Sequence, residues 1–340
     1  MSSLRLEADI LELKTRHPFI IARGSQDTYR TVAIRLVDPD GNEGWGEAAP
    51  QRFYSETPET VLAALQVYAT ALPDDTLNLD EAEARFVSVL TGNNSARAAL
   101  STALHDLAGK RLGVPVYRMF GLDPAKCPLS TFTIGIDTPE RMRMKVQEAE
   151  QYPVLKIKLG TRDDLAILRA IREATAKELR VDANTGWTRK QAIRMLPVLE
   201  EFGVTVLEQP LDPRDLDGLA LVTRHARIPV IADESCLVAA DIPALVGKVD
   251  GINIKLAKTG SLREALRMIA IARAHHLMVM VGCMIETSIG ITAAAHFCPL
   301  VDICDLDGAA LLAHDPYVGA TIEGGQLRLP EGPGLGLSAR

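Results

Sequence analysis

The spacing of apolar and polar positions changes period as the chain proceeds. In the first 50 residues it alternates with the period of two expected of strands, in LRLEADILELK and in YRTVAIRLVDPDGNEGWGEAAP. Asp40-Gly41 lies between two alternating runs and predicts a hairpin turn. From Thr57 to about Gly113 the pattern is helical: TPETVLAAL opens as a capped helix, and NNSARAALSTALHDLAGKRLG stops at Gly113 before Pro115. Residues 1–124 are expected to form a separate α+β domain. After Pro124, short apolar runs alternate with amphipathic stretches of helical length, predicting strands at 131–136, 155–159, 180–184, 206–210, 230–234, 251–256, 279–284 and 303–308. Eight such repeats within 125–315 predict a parallel α/β barrel. The stretch ALLAHDPYVGATIEGGQLRLPEGPGLG lacks a full last helix and reads as irregular chain with a terminal hairpin, so 316–340 is expected to return to the first domain.

With 340 residues, 47% of them hydrophobic, the chain has ample material for such a core. The apolar run 277–284 is far shorter than the ~20 residues of a spanning helix, and MSSLRLEADILELK interleaves charge with hydrophobes, so no membrane segment or export signal is expected. Cys127, Cys236, Cys283, Cys298 and Cys304 are scattered without CxxC spacing, which argues against a disulfide framework or structural zinc and for a reducing, cytoplasmic location. The net charge of −7 is spread out, with no basic cluster among aromatics, so nucleic acid is an unsuitable partner and a small molecule a suitable one. A homo-oligomer is left open.

Barrels of this kind carry chemistry at the carboxyl ends of their strands. Asp182 in VDAN, Glu208 in LEQP and Asp233 in ADES end three successive strands, one repeat apart. Taken singly, each acid fits a helix cap or a surface ion pair equally well. Three converging on one rim repel unless protonated or bridged, and an all-oxygen set without histidine or thiolate suits Mg²⁺ best, with Mn²⁺ able to substitute. Asn184 and Gln209 stand beside these acids as candidates to orient them, or as ordinary turn formers.

In LKIKL, Lys156 and Lys158 alternate to the same face, and Lys255 in NIKL follows the acidic set as they precede it. On a closed barrel the second and sixth strands lie nearly opposite, so Lys158 and Lys255 would reach a central substrate from two faces. Desolvation, a neighbouring ammonium and a divalent cation all disfavour the charged lysine, which suits the Lys156/Lys158 pair to releasing a proton. The alternative is a pair of snorkelling surface lysines. Lys258, three residues past Lys255, is expected to be a loop lysine.

With KIK, VDAN, LEQP, ADES and NIKLAKTG in this order, the chain resembles the muconate-lactonizing-enzyme subgroup of the enolase superfamily over essentially its whole length. That resemblance implies a modified TIM barrel, (β/α)7β, with an N-terminal α+β capping domain. It implies Mg²⁺ on Asp182, Glu208 and Asp233, an acid/base pair of Lys158 and Lys255, and Lys156 beside the substrate carboxylate. Asp305 and Asp307 in DICDLDG alternate to one side, suited to an ammonium group, or form a turn before Gly308. They resemble the Asp-x-Asp pair that holds the free α-amino group in dipeptide epimerases. HPFIIARGS is similar to a capping-domain loop whose arginine, here Arg23, meets the side-chain carboxylate of a C-terminal glutamate. Thr133 matches a substrate-contacting threonine. GCMIETS implies backbone contacts at Cys283, Met284 and Ile285, residues that equally suit a core. The loop APQRFYSET (49–57) would close over the ligand. Two departures stand out: Gly260-Ser261 replaces a second glycine after KTG, and the seventh strand carries no histidine base, His275 and His276 reading as a surface pair. The implied activity is epimerisation of a dipeptide such as L-Ala-D/L-Glu. The alternatives are a cycloisomerase, an o-succinylbenzoate synthase, an N-acyl amino acid racemase, or a non-catalytic barrel that binds metal or ligand.

Overall fold

A computed structural model describes residues 4–340. Three antiparallel strands open the chain: β1 (Arg5–Ile21), β2 (Gly24–Val37) and β3 (Glu43–Ala48). Helices α1 (Pro58–Tyr68), α2 (Leu79–Val89) and α3 (Asn94–Leu112) follow. Thr57 caps α1 and Gly113, in the left-handed conformation, ends α3, as their sequences require. The glycines of GWGEA let β3 lie directly on α3: a Cβ on Gly44 or Gly46 would sit about 2 Å from the carbonyl oxygens of Ala103 or Ala99. Alternation then turns Trp45 and Glu47 the other way. Trp45 meets Tyr317 of the C-terminal segment at 5.6 Å between ring centroids, and Glu47 receives Thr287 N–H and O–H from the barrel.

All eight expected barrel strands form: β4 (Phe132–Ile134), β5 (Val154–Lys158), β6 (Glu178–Asp182), β7 (Val204–Glu208), β8 (Val230–Ala232), β9 (Gly251–Ile254), β10 (Met278–Gly282) and β11 (Ile303–Asp305). They make one parallel sheet in chain order, with helical segments on the seven connections. Between β11 and β4 no strand ladder forms among the described residues: the main-chain links are an isolated bridge, Ser130 to Cys304, and the Thr131 N–H bond to Cys304 O, and side chains supply the rest. After β11 there is a short turn, Gly308–Leu311, and no full helix. The tail pairs its own hairpin at 321–328 and returns to α3, where Leu335 N–H bonds Asp106.

Below the rim the barrel is plugged by Val206, Ile231, Met280 and Ile303. Three of these stand two residues before Glu208, Asp233 and Asp305, so strand alternation lifts those acids into the layer above an apolar floor. The cap rests on this rim: Ala22, at the tip of the β1–β2 hairpin, presses on Gly160 just past LKIKL, where a Cβ would come within 2.7 Å of it. All five cysteines are free thiols, and among the described residues no helix is long and apolar enough to cross a membrane.

Candidate active site

Asp182, Glu208 and Asp233 bring one oxygen each to within 4.8 Å of one another, all three side chains fully buried. Burial and the charge of Asp182 push the Glu208 carboxyl up to about 7. The donors are all oxygen and lie on three adjacent strands, which fits a hard divalent cation.

The lysines surround this cluster. Lys156 Nζ lies 2.7 Å from Glu208 Oε2, 2.7 Å from Asp305 Oδ2 and 3.3 Å from Asp182 Oδ2. Lys158 Nζ is 2.6 Å from Asp182 Oδ2, and Lys255 Nζ is 2.7 Å from Asp233 Oδ2. Lys158 and Lys255 therefore reach the cluster from opposite members of it, as strands β5 and β9 dictate. The expected release of a proton by crowding is outweighed at Lys156: burial favours the neutral amine, but Asp305, Glu208 and Asp182 raise its pKa well above that of a free lysine. Lys255 is raised against its burial by Asp233 and Glu208.

Lys258 is not a loop lysine. It lies on the helical turn Leu256–Thr259, is buried, and donates to Asp233 Oδ1 and Asp233 O at 2.6 Å each. Strand β9 ends at Ile254, and a helical turn brings the third residue on back to the same side.

Backbone strain marks the same rim. Asn184, Thr185 and Gln209 have φ of 43°, 67° and 32°, a region in which non-glycine residues are uncommon. The backbone N–H of Asn184 donates to Asp182 Oδ1 at 2.8 Å, and Gln209 Oε1 accepts the backbone N–H of Asp233 at 2.9 Å, whereas the Asn184 side-chain amide faces Glu234 and not the three acids. Asn253, two residues before Lys255 and on its face, donates to Glu208 Oε1 at 2.8 Å. Alternation along NIK was the signal for it.

The other expected residues share one cavity of about 780 Å³ with these lysines. Thr133, Cys283, Met284, Ile285, Asp305 and Asp307 line it. Asp305 is fully engaged, Oδ2 on Lys156 and Oδ1 accepting from Thr131 Oγ1. Asp307 Oδ2 accepts Thr133 N–H at 2.5 Å, and burial together with Asp305 raises its carboxyl to about 7. Met284 N–H is already taken by Glu286 at 2.8 Å. Arg23 reaches the cavity from the cap, but one end of its guanidinium is occupied: Nη1 donates to Glu234 Oε1 at 2.6 Å and to Asn184 O at 3.0 Å. Phe53 of the loop 49–57 stacks on it at 4.4 Å. His275 and His276 lie exposed, away from the cavity.

Comparison with known proteins agrees with this geometry. Residues 5–121 match the model of the mandelate racemase / muconate lactonizing enzyme N-terminal domain, and 140–340 that of the enolase C-terminal domain-like family. The chain belongs to the enolase superfamily. Within it, the chain is 41% identical over 328 residues to the L-Ala-D/L-Glu epimerase of Bacteroides thetaiotaomicron, covering 96% of this chain and 85% of that one. It is 39% identical to an L-Ala-D/L-amino acid epimerase of a Maribacter species, covering 98% of each. The substrate-liganded L-Ala-D/L-Glu epimerase of Bacillus subtilis superposes with a TM-score of 0.95 at 32% identity, covering 100% of this chain and 99% of that one. A dipeptide epimerase of Cytophaga hutchinsonii complexed with Mg and D-Ala-L-Val gives 0.94 at 29% identity, covering 99% and 96%. This superfamily member thus has the fold expected from its strand pattern.

Proposed function

We propose that the protein is a Mg²⁺-dependent dipeptide epimerase that inverts the α-carbon of the C-terminal residue, with L-Ala-D/L-Glu as substrate. The observation that carries this reading is the placing of Lys158 and Lys255 on opposite acids of one buried cluster, inside a cavity that also holds Asp307.

In this reading Asp182, Glu208 and Asp233 hold the cation. Bound there, it supplies positive charge beside the substrate carboxylate and offsets the charge that builds as the α-proton leaves. A cation there would offset the charge of Asp233 and Glu208, which raises Lys255, and so would favour a neutral amine at that lysine. Lys158 takes the α-proton on one face of the carbon while Lys255, as an ammonium, delivers one to the other. The reverse reaction exchanges their roles. Lys156 adds a fixed charge at the substrate carboxylate. Asp307, with Asp305 behind it, receives the free α-ammonium, while Thr133 and the 283–285 segment border the peptide. Arg23, anchored by Glu234 through Nη1, keeps its Nε and Nη2 donors for the side-chain carboxylate of glutamate.

A cycloisomerase, o-succinylbenzoate synthase or N-acyl amino acid racemase has no need of an ammonium-binding carboxylate, and Asp307 favours the dipeptide reading over these. A non-catalytic barrel would have no use for lysines on both sides of the acids. Residues 1–124 would act as the cap over a 125–315 barrel, with 316–340 tying the two together. Free thiols and a dipeptide substrate suit the reducing cytoplasm and the recycling of cell-wall peptides.

The test is proton exchange in deuterated water. With Mg²⁺, L-Ala-L-Glu should incorporate deuterium at the α-carbon of its second residue and accumulate the D isomer, and EDTA should stop both. If a broad dipeptide set shows no such exchange with Mg²⁺ present, the proposal is wrong.

A further inference from the structure

The loop 49–57 runs over the acid cluster, and Tyr54 is the residue of it that engages the cluster's charge. Tyr54 ends the short 3-10 turn Arg52–Tyr54, which Ser55 closes in the left-handed region at φ 62°. It lines the 780 Å³ cavity and also a second one of about 550 Å³, so it is part of the partition between them. Its ring is held by a chain of contacts. Phe53 meets it edge-on at 5.2 Å, Phe53 stacks on Arg23, and Arg23 is fixed to Glu234 on the barrel rim.

Tyr54 is half-buried, and among the described residues no hydrogen bond holds its hydroxyl. Burial pushes its pKa far up, and the carboxylates of Asp233, Glu234 and Asp182 push it further, so it stays a protonated donor. It cannot serve as a third base. An O–H on the cavity wall that no protein group holds, in the field of the cation-binding acids, is free to donate to a ligand, and the group brought beside those acids is the carboxylate of the substrate.

We propose that Tyr54 contacts substrate directly, its O–H donating to the C-terminal carboxylate of the bound dipeptide. This rests on the epimerase reading above. As the α-proton leaves, negative charge accumulates on those carboxylate oxygens, so a donor already aimed there binds the transition state more tightly than the ground state. Because it reads the carboxylate and not the side chain, it serves every dipeptide that the enzyme accepts.

The experiment is Tyr54→Phe in the full-length protein with Mg²⁺, assayed on L-Ala-L-Glu and L-Ala-L-Leu. One oxygen is removed and the aromatic packing kept, so a purely structural residue would leave the kinetics unchanged. The expected result is a kcat lowered about 10- to 100-fold with KM within about 3-fold, the same on both substrates, and a melting temperature close to wild type. A kcat within about 2-fold of wild type overturns the proposal. So does a loss confined to L-Ala-L-Glu, which would put the hydroxyl on the side-chain carboxylate. A wild type that exchanges the α-proton of neither dipeptide overturns the epimerase reading, and this proposal with it.

Discussion

Lys258 donates to Asp233 through both the carboxylate and the backbone oxygen of that residue, each at 2.6 Å. It also donates to Cys236 O and Asn253 O at 3.0 Å, so one ammonium ties the ends of β8 and β9 together. Replacing Lys258 with methionine should remove this donor from a buried carboxylate and three backbone carbonyls. We expect a loss of about 3–5 kcal/mol in urea unfolding, typical of a buried pair broken on one side, together with weaker Mg²⁺ binding. Unchanged unfolding would show that Asp233 keeps its place without this lysine.

The two proposed bases should be separable by stereochemistry. Lys158→Ala and Lys255→Ala should each lower epimerisation by about 10³-fold or more. Each should still exchange the α-proton of one configuration of the second residue, and the two variants should keep opposite ones. Deuterium uptake followed separately for L-Ala-L-Glu and L-Ala-D-Glu decides this. Exchange of both isomers at normal rates in either variant would remove that lysine from the chemistry.

Substrate affinity should depend on pH through Asp307. Its carboxyl is raised to about 7 by burial and by Asp305, so below that pH it gains a proton and loses the charge that attracts an ammonium. KM should rise as pH falls through about 7. It should rise again above about 8, where the dipeptide's own amine becomes neutral. In Asp307→Asn the acid limb should vanish and KM at pH 8 should increase about 10- to 100-fold. A pH profile of kcat/KM for wild type and variant is the measurement.

Stability should also fall on the acid side, for a reason unconnected with catalysis. His105 and His296 are buried and their pKa values are lowered to about 4, chiefly by desolvation. His296 Nδ1 accepts Tyr117 N–H at 3.2 Å, so a proton on that nitrogen would abolish the bond. Since the unfolded chain protonates near 6.5, stability from both groups is complete above that pH and is lost as pH drops towards 4. The upper bound is about 3 kcal/mol for each histidine. Urea midpoints from pH 7 to pH 4 should fall, and less steeply in His296→Gln.

Glu208, Asp233 and Asp305 were legible because their strands obey one local rule, an apolar floor residue and then an acid two positions on; Asp182, Lys158 and Lys255 follow Arg180, Lys156 and Asn253 and were legible from alternation and strand order alone. What failed was local too. Alternation was carried past Ile254, where the chain had already become helical, so Lys258 was assigned to the wrong side. Glu234 was hidden for a different reason. Its partner Arg23 is 211 residues away, in another part of the fold, and no spacing rule connects a hairpin tip with a strand end. Engagement of both Asp305 oxygens by Lys156 and Thr131 likewise depends on which strands become neighbours when the ring closes.

That closure has a bearing on when the site can exist. Cys304, next to Asp305, meets Ser130 at the one seam where the sheet relies on an isolated bridge, and Asp307 is held by Thr133 across the same seam. The carboxylates at 305 and 307 therefore take their final positions only when the last strand of the barrel docks on the first. On the reading proposed above, the amine site is therefore completed by closure of the barrel ring, whereas Asp182, Glu208 and Asp233 lie on three consecutive strands away from that seam.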